Sequence, residues 1–240
     1  MLSAPGSSAD DSRLFRVCVV PFVVFLGFNL LLAAVQGGWQ WDHPAAPWWQ
    51  RAPELWVYAL QVLACGGYLF ARRRDIAWRA RPSHCLWGVA AGLLGMGLWL
   101  IPYLLGWVPR EGGFEPERLF GSDSAATVAA YALRFARAVL IVPLVEELFW
   151  RGYLMRWCID RDVPARVPLG RVSWFSYIVV TLGFILAHRS CDWAGAACYG
   201  SLAYGLVWRT RSLLPVILMH AVANLVMGVA AIRLDLPQLW

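Results

Sequence analysis

Two adjacent carboxylates and one guanidinium lie inside a long apolar stretch of this sequence. Glu146, Glu147 and Arg151 occur within residues 140–155, LIVPLVEELFWRGYLM. An ionisable side chain near the middle of a bilayer costs several kcal/mol on insertion scales, so such residues usually face a polar interior and have a function. We therefore expect this segment to be a membrane helix that carries chemistry.

The spacing of these three residues separates the two carboxylates. Residues four apart lie one turn apart on the same helix face, so Glu147 can pair with Arg151. Glu146 projects into a neighbouring sector and has no such partner within the helix. The pattern predicts one carboxylate with a local counter-ion and a second that is available as a general base.

Two later apolar helices also carry polar residues at helical spacing. Phe184 and His188 are one turn apart, and so are His220 and Asn224. Each residue alone has an ordinary structural explanation, either as a hydrogen bond between helices or as packing. Polar groups on three separate membrane helices are expected to converge on one water-accessible cavity, because hydrocarbon would reject them elsewhere.

Other catalytic classes fit the sequence less well. Two histidines and a glutamate could bind zinc, but the HExxH arrangement is missing and Arg151 adds positive charge nearby. Ser190 and Cys191 directly follow His188 and are poorly placed to face it as nucleophiles. The sequence favours a carboxylate that activates water without a metal or other cofactor, and zinc-dependent hydrolysis is the alternative.

The three motifs, in this order, resemble those of a known family. Glu146-Glu147-x-x-x-Arg151, Phe184-x-x-x-His188 and His220-x-x-x-Asn224 are similar to the motifs of the CAAX protease and bacteriocin-processing (CPBP, or Abi) family of intramembrane glutamic endopeptidases. The resemblance covers about residues 139–230, and the motifs are specific only as a set. The N-terminal helices resemble those of a bacterial subgroup found alongside exosortase protein-sorting systems.

The resemblance implies a role for each motif residue. Glu146 would be the general base that activates a water, and His188 would assist it or position that water. His220 and Asn224 would donate hydrogen bonds to the developing oxyanion. Glu147 and Arg151 would complete the catalytic set by holding the helix geometry, and Phe184 would be a supporting residue that fixes His188.

The composition predicts an all-α, polytopic membrane helix bundle with about seven transmembrane helices around a polar cavity. Of the 240 residues, 60% are hydrophobic and only 15% are charged, so a soluble domain would lack polar cover. The basic residues are all arginines that fall between apolar segments, which argues against a nucleic-acid partner. Six cysteines without CxxC spacing are expected to be small buried hydrophobes.

The chain is expected to form one integral domain with three parts. Residues 1–12 are predicted to be a disordered tail, 13–135 to form N-terminal membrane helices and an interfacial segment, and 136–233 to form the catalytic helix core. The predicted helices span about 14–35, 55–71, 86–108, 139–159, 174–188, 193–208 and 213–232. The stretch from Ala125 either lies along the interface or continues into the fourth helix.

The arginines predict how the chain is oriented. With the N-terminus in the cytoplasm, thirteen arginines lie on the cytoplasmic side, five of them between residues 72 and 81, and five arginines lie on the other side. This bias follows the positive-inside rule. We therefore expect a multi-pass protein of the bacterial inner membrane with a cytoplasmic N-terminus.

The expected function is that of an intramembrane endopeptidase. It would hydrolyse a peptide bond near the C-terminus of a membrane-anchored or lipidated substrate, with the lipid bilayer and components of a protein-sorting system as further partners. A non-catalytic membrane scaffold or bacteriocin-immunity-type protein of the same fold is the alternative. A transporter with a proton relay fits less well, because no inverted repeat or visibly broken helix is present.

Overall fold

A computed structural model describes residues 8–107, 112–122 and 124–240, and every regular element among them is helical. The helices are α1 (Ser8–Cys18), α2 (Val20–Gly38), α3 (Trp48–Arg51), α4 (Pro53–Ala71), α5 (Pro82–Leu104), α6 (Glu117–Phe120), α7 (Ala125–Trp157), α8 (Trp174–Leu186), α9 (Trp193–Thr210) and α10 (Leu214–Arg233). Short 3-10 turns occupy Pro164–Arg166, Ser190–Asp192 and Pro237–Leu239. The all-α class is confirmed.

Five helical segments of the described chain are long and apolar enough to cross a membrane. They are the combined α1 and α2, then α4, α5, α7 and α10. The helix α8 is apolar but has only 13 residues. The 18-residue helix α9 is less apolar because it is rich in buried small residues. It packs between α5 and α8, so it needs less lipid-compatible surface than an outer helix.

The described helices lie close to the seven predicted ones, with shifts of a few residues at their ends. The third predicted helix, 86–108, begins and ends earlier, at Pro82 and Leu104. Of the predicted disordered tail, residues 1–7 lie outside the described residues, and residues 8–12 are instead the first turns of α1. There Asp10 and Asp11 favour a helix N-terminus, and Asp11 accepts a hydrogen bond from the Ala165 amide at 2.9 Å.

The helix α7 is one continuous element that is wound more loosely in two places. Residues Ala136–Ile141 and Leu148–Leu154 are π-helical. Of the two predicted alternatives for the stretch from Ala125, the structure has the long helix. Pro143 gives a physical reason for the first π segment, because its ring clashes with the carbonyl four residues earlier and it lacks an N–H. The predicted division between 13–135 and 136–233 falls inside this helix.

Glycines on one face of α5 allow α10 and α9 to approach closely. A Cβ at Gly88 would lie 2.3 Å from the Pro215 carbonyl oxygen, and one at Gly92 would lie 2.5 Å from the Met219 carbonyl oxygen. Both contacts are far below van der Waals distance. Met219 immediately precedes His220, so this packing sets the height of the third motif in the bundle.

The substitution Gly92→Val is expected to destabilise the protein. Because the new side chain would meet backbone, α5 and α10 must separate, at a cost of about 1–3 kcal/mol or more. Gly97→Val is the matched control, since a Cβ there meets no atom within 4 Å. Thermal unfolding in detergent, followed by reaction of the buried Cys65 with a thiol dye, measures the difference. Equal unfolding midpoints for the two variants would contradict this account of the packing.

Candidate active site

Glu147 is the centre of a buried ionic cluster that joins two helices. Arg151 Nη1 donates to Glu147 Oε1 at 3.1 Å and lies 3.0 Å from Oε2. Both side chains are fully buried. His220 Nδ1 on α10 lies 2.9 Å from Glu147 Oε1. The first and third motifs are therefore in direct contact through Glu147. The ion pair between Glu147 and Arg151 is the one that their spacing predicted.

Phe184 connects the second motif to the same cluster. Its backbone carbonyl lies 2.7 Å from His188 Nδ1, and its ring centroid lies 4.5 Å from the imidazole. On the other side, the Arg151 guanidinium carbon lies 4.8 Å from the Phe184 ring centroid. Although α8 ends at Leu186, His188 is held by these contacts in the turn that follows.

Asn224 binds the backbone of α7 where the loose winding leaves a carbonyl free. Its Nδ2 donates to the Ala138 carbonyl at 2.7 Å. In the π segment this carbonyl would accept from the residue five positions later, which is Pro143 and has no N–H. The Asn224 amide therefore completes the hydrogen bonding of α7, and its second N–H is not used in this contact.

One cavity of about 440 Å³ brings the second and third motifs together. Its walls come from α5, α7, α8, α9, α10, the turn after α8 and the C-terminal residues. The polar residues that line it are Arg137, His188, Arg189, Asp192, Tyr199, His220 and Asn224. Its volume falls in the range of small-molecule and peptide sites. The two glutamates are not among the lining residues, and Glu147 reaches the cavity through its contact with His220.

Glu146 differs from Glu147 in its surroundings. It is half-buried, and no hydrogen bond or ion pair joins it to another residue of the described chain. Its carboxylate interacts electrostatically with Arg137 and with Tyr199, both of which line the cavity. The structure therefore separates one carboxylate in direct contact with Arg151 and His220 from one without a direct partner, in agreement with the spacing argument.

Sequence reasoning missed two aromatic residues that pack on the motif side chains. The Tyr199 ring stacks on Phe184 at 5.9 Å and lies 5.8 Å from His220. The Trp99 ring lies 5.1 Å from His188, and its indole N–H donates to Asp192 at 2.9 Å. Tyrosine and tryptophan are common in membrane helices, so neither residue stood out in the sequence.

The described residues contain no group of three or more histidine, cysteine, aspartate or glutamate side chains placed to hold a metal ion. His220 and Glu147 meet each other through a hydrogen bond. His188 makes its Nδ1 contact with a backbone carbonyl. The absence of a metal requirement stays a prediction, to be tested on the protein itself.

This arrangement has the parts that water-dependent acyl transfer requires. A carboxylate without a direct partner can take a proton, an imidazole can orient a water, and an imidazole and an amide on one helix can donate to an oxyanion. The cavity supplies polar walls inside an apolar bundle, where such donors act more strongly than in water.

A comparison with protein families agrees with the geometry. Residues 128–226 match the family model described as type II CAAX prenyl endopeptidase Rce1-like. No curated protein and no solved structure matches the chain. The matched segment contains all three motifs, from Glu146 to Asn224, and it supports a relationship to the CAAX protease (CPBP) family.

Proposed function

We propose that this protein is an intramembrane glutamic endopeptidase that cuts a peptide bond near the C-terminus of a membrane-anchored or lipidated substrate. The observation that carries the proposal is the convergence of His188, His220 and Asn224 on one cavity, with His220 bonded to the buried Glu147. The match to the family model supports a peptidase of the CAAX type. The bilayer would hold the substrate's anchor while the peptide enters the cavity.

In the proposed reaction, Glu146 removes a proton from a water that His188 orients. The resulting hydroxide attacks the carbonyl carbon of the scissile bond, and the carbonyl electrons move to oxygen. His220 and Asn224 donate to that oxyanion. The intermediate then collapses, the C–N bond breaks, and the proton held by Glu146 passes to the leaving amine. The products are a new carboxylic acid and a new amine, which ionise together to a carboxylate and an ammonium, so atoms and charge balance.

Glu147 and Arg151 would act through His220 in this scheme. Because Glu147 accepts the contact at Nδ1, that nitrogen carries a proton and the opposite nitrogen, Nε2, is left for the substrate. A donor at Nε2 as well requires the imidazolium form, which has a proton on both ring nitrogens. Arg151 balances the charge of Glu147 inside the bundle.

The cellular setting is part of the same proposal. The arginine distribution supports a bacterial inner-membrane protein with a cytoplasmic N-terminus. Components of a protein-sorting system would be its partners. The cavity lies at the end of the bundle where α5, α8 and α10 finish, opposite the arginine-rich loop 72–81.

Glu146→Gln is expected to abolish cleavage while the protein remains folded, because the amide cannot accept the proton and the side chain makes no direct hydrogen bond. Mass spectrometry of membrane-protein C-termini would compare cells that express the wild type and the variant. Shortened C-termini should appear only with the wild type. Identical C-termini in both, with the physiological function retained by the variant, would favour the non-catalytic scaffold instead.

Glu147→Gln is expected to affect stability as well as activity. The change leaves the buried Arg151 charge without its carboxylate, which costs roughly 3–5 kcal/mol in comparable buried pairs. Thermal unfolding in detergent should show a clear decrease relative to Glu146→Gln, which is the matched control one residue away. If the two variants unfold at the same temperature, the ion pair does not have the structural role described above.

Metal chelation is expected to leave cleavage unchanged, because the proposed water activation uses carboxylate and imidazole alone. The measurement is turnover by the purified protein before and after prolonged treatment with EDTA and with 1,10-phenanthroline. A loss of activity that added zinc restores would support the zinc-dependent alternative and refute the glutamate mechanism.

A further inference from the structure

The guanidinium of Arg137 lies in the wall of the cavity, where one buried and one half-buried amide hold it. Its Nε donates to Gln61 Oε1 at 2.6 Å, and its Nη2 donates to Asn29 Oδ1 at 3.1 Å. Gln61 is fully buried and donates to Asn29 at 3.0 Å and to the Phe25 carbonyl at 2.9 Å. Residues of α2, α4 and α7 thus fix one cation at the edge of the cavity.

The direct partners of this cation are uncharged. The rings of Phe25 and Tyr58 lie 5.1 Å and 4.3 Å from the guanidinium carbon. Within the part of the chain that the structure describes, no carboxylate forms an ion pair with Arg137. A charge among apolar and neutral groups is costly unless a counter-charge approaches it. The arrangement is therefore suited to an anion that enters from the cavity.

The guanidinium also has donors left for such an anion. Its Nε and Nη2 make the two amide contacts, whereas Nη1 has no hydrogen-bond partner among the described residues and is not fully buried. A planar guanidinium with free N–H groups matches a carboxylate better than a lysine ammonium would.

We propose that Arg137 binds the free C-terminal carboxylate of the peptide substrate. The inference rests on the proposed function, because it requires a peptide whose end enters the cavity. His188 and His220 line the same cavity, so a terminus held at Arg137 fixes which bond reaches them. Cleavage at a set distance from the C-terminus follows from this anchoring.

The interaction with Glu146 alone does not explain why the guanidinium of Arg137 is anchored at the cavity wall. The two side chains interact electrostatically but share no hydrogen bond, and a general base must keep its carboxylate free for water. The elaborate anchoring through Gln61 and Asn29 orients the guanidinium with no described carboxylate in contact. A substrate carboxylate supplies the missing partner.

Arg134 provides a matched control on the same helix, about one turn earlier. Its guanidinium carbon lies 4.7 Å from the Phe114 ring, 5.0 Å from the Trp240 ring and 5.7 Å from the Tyr58 ring. It is not among the residues that line the cavity. Arg134→Gln therefore removes the same charge from nearly the same height without removing a donor from the cavity wall.

Calorimetric titration of the full-length protein in detergent tests the proposal. The probes are acetyl-trileucine as the free acid and as the C-terminal amide, chosen because Met96, Met227 and Leu239 in the cavity wall suit apolar side chains. The wild type and Arg134→Gln are expected to bind the acid about tenfold more tightly than the amide, as a charge-assisted pair provides. Arg137→Gln is expected to bind both alike.

Equal affinities of the wild type for acid and amide would overturn the proposal, and so would the same loss of preference in Arg134→Gln. Arg137→Lys decides the matter if Arg137→Gln does not fold, as judged by its unfolding temperature. A lysine ammonium is a point charge that cannot form two parallel hydrogen bonds with a carboxylate. The preference of Arg137→Lys for the acid over the amide should therefore be several-fold smaller than that of the wild type. An undiminished preference in the lysine variant would contradict the proposal.

The binding measurement does not depend on catalysis. A preference for the acid, together with the absence of any C-terminal trimming in cells, would leave the Arg137 subsite standing and refute the peptidase. Trimming that depends on Glu146, together with equal affinities for acid and amide, would leave the peptidase standing and refute the subsite.

Discussion

A fully buried ion pair is the constraint on which the rest of this structure depends. Glu147 and Arg151 have no exposed surface, and removing two charges from water costs several kcal/mol each before their attraction offsets it. The bundle meets that cost with His220 on one carboxylate oxygen and with the Phe184 ring against the guanidinium. Each compensating contact comes from a different helix, so the ion pair requires α8 and α10 to dock against α7.

The positions of the membrane helices and the polar pairs on them could be predicted from the sequence. Long apolar runs locate the helices, and a spacing of four residues places Glu147 beside Arg151 and Phe184 beside His188. The glycine face of α5 was predictable as well, because only a residue without a Cβ tolerates the approach of α10. These features depend on local sequence and on the chemistry of the bilayer.

The contacts between distant helices could not be predicted in this way. Tyr199 stacks on Phe184 only because α9 lies between α5 and α8, and a single sequence does not specify that arrangement. The anchoring of Arg137 by Asn29 and Gln61 spans 108 and 76 residues of chain. Asn29 and Gln61 were polar residues within apolar helices, which was the one available signal. Pro143 indicated an irregularity in α7, but its π-helical form depends on how the neighbouring turns relax.

The two π segments of α7 flank the adjacent glutamates, the first ending at Ile141 and the second beginning at Leu148. Each wide turn accommodates one residue more than a regular α-turn would over the same rise. The direction in which Glu146 and Glu147 point thus depends on the number of residues in the flanking π segments. Removing one residue between Ala136 and Ile141 would restore regular winding while the turns on either side kept their register. In this helix, a one-residue deletion in a homologue would therefore change the surroundings of Arg137 without altering any motif residue.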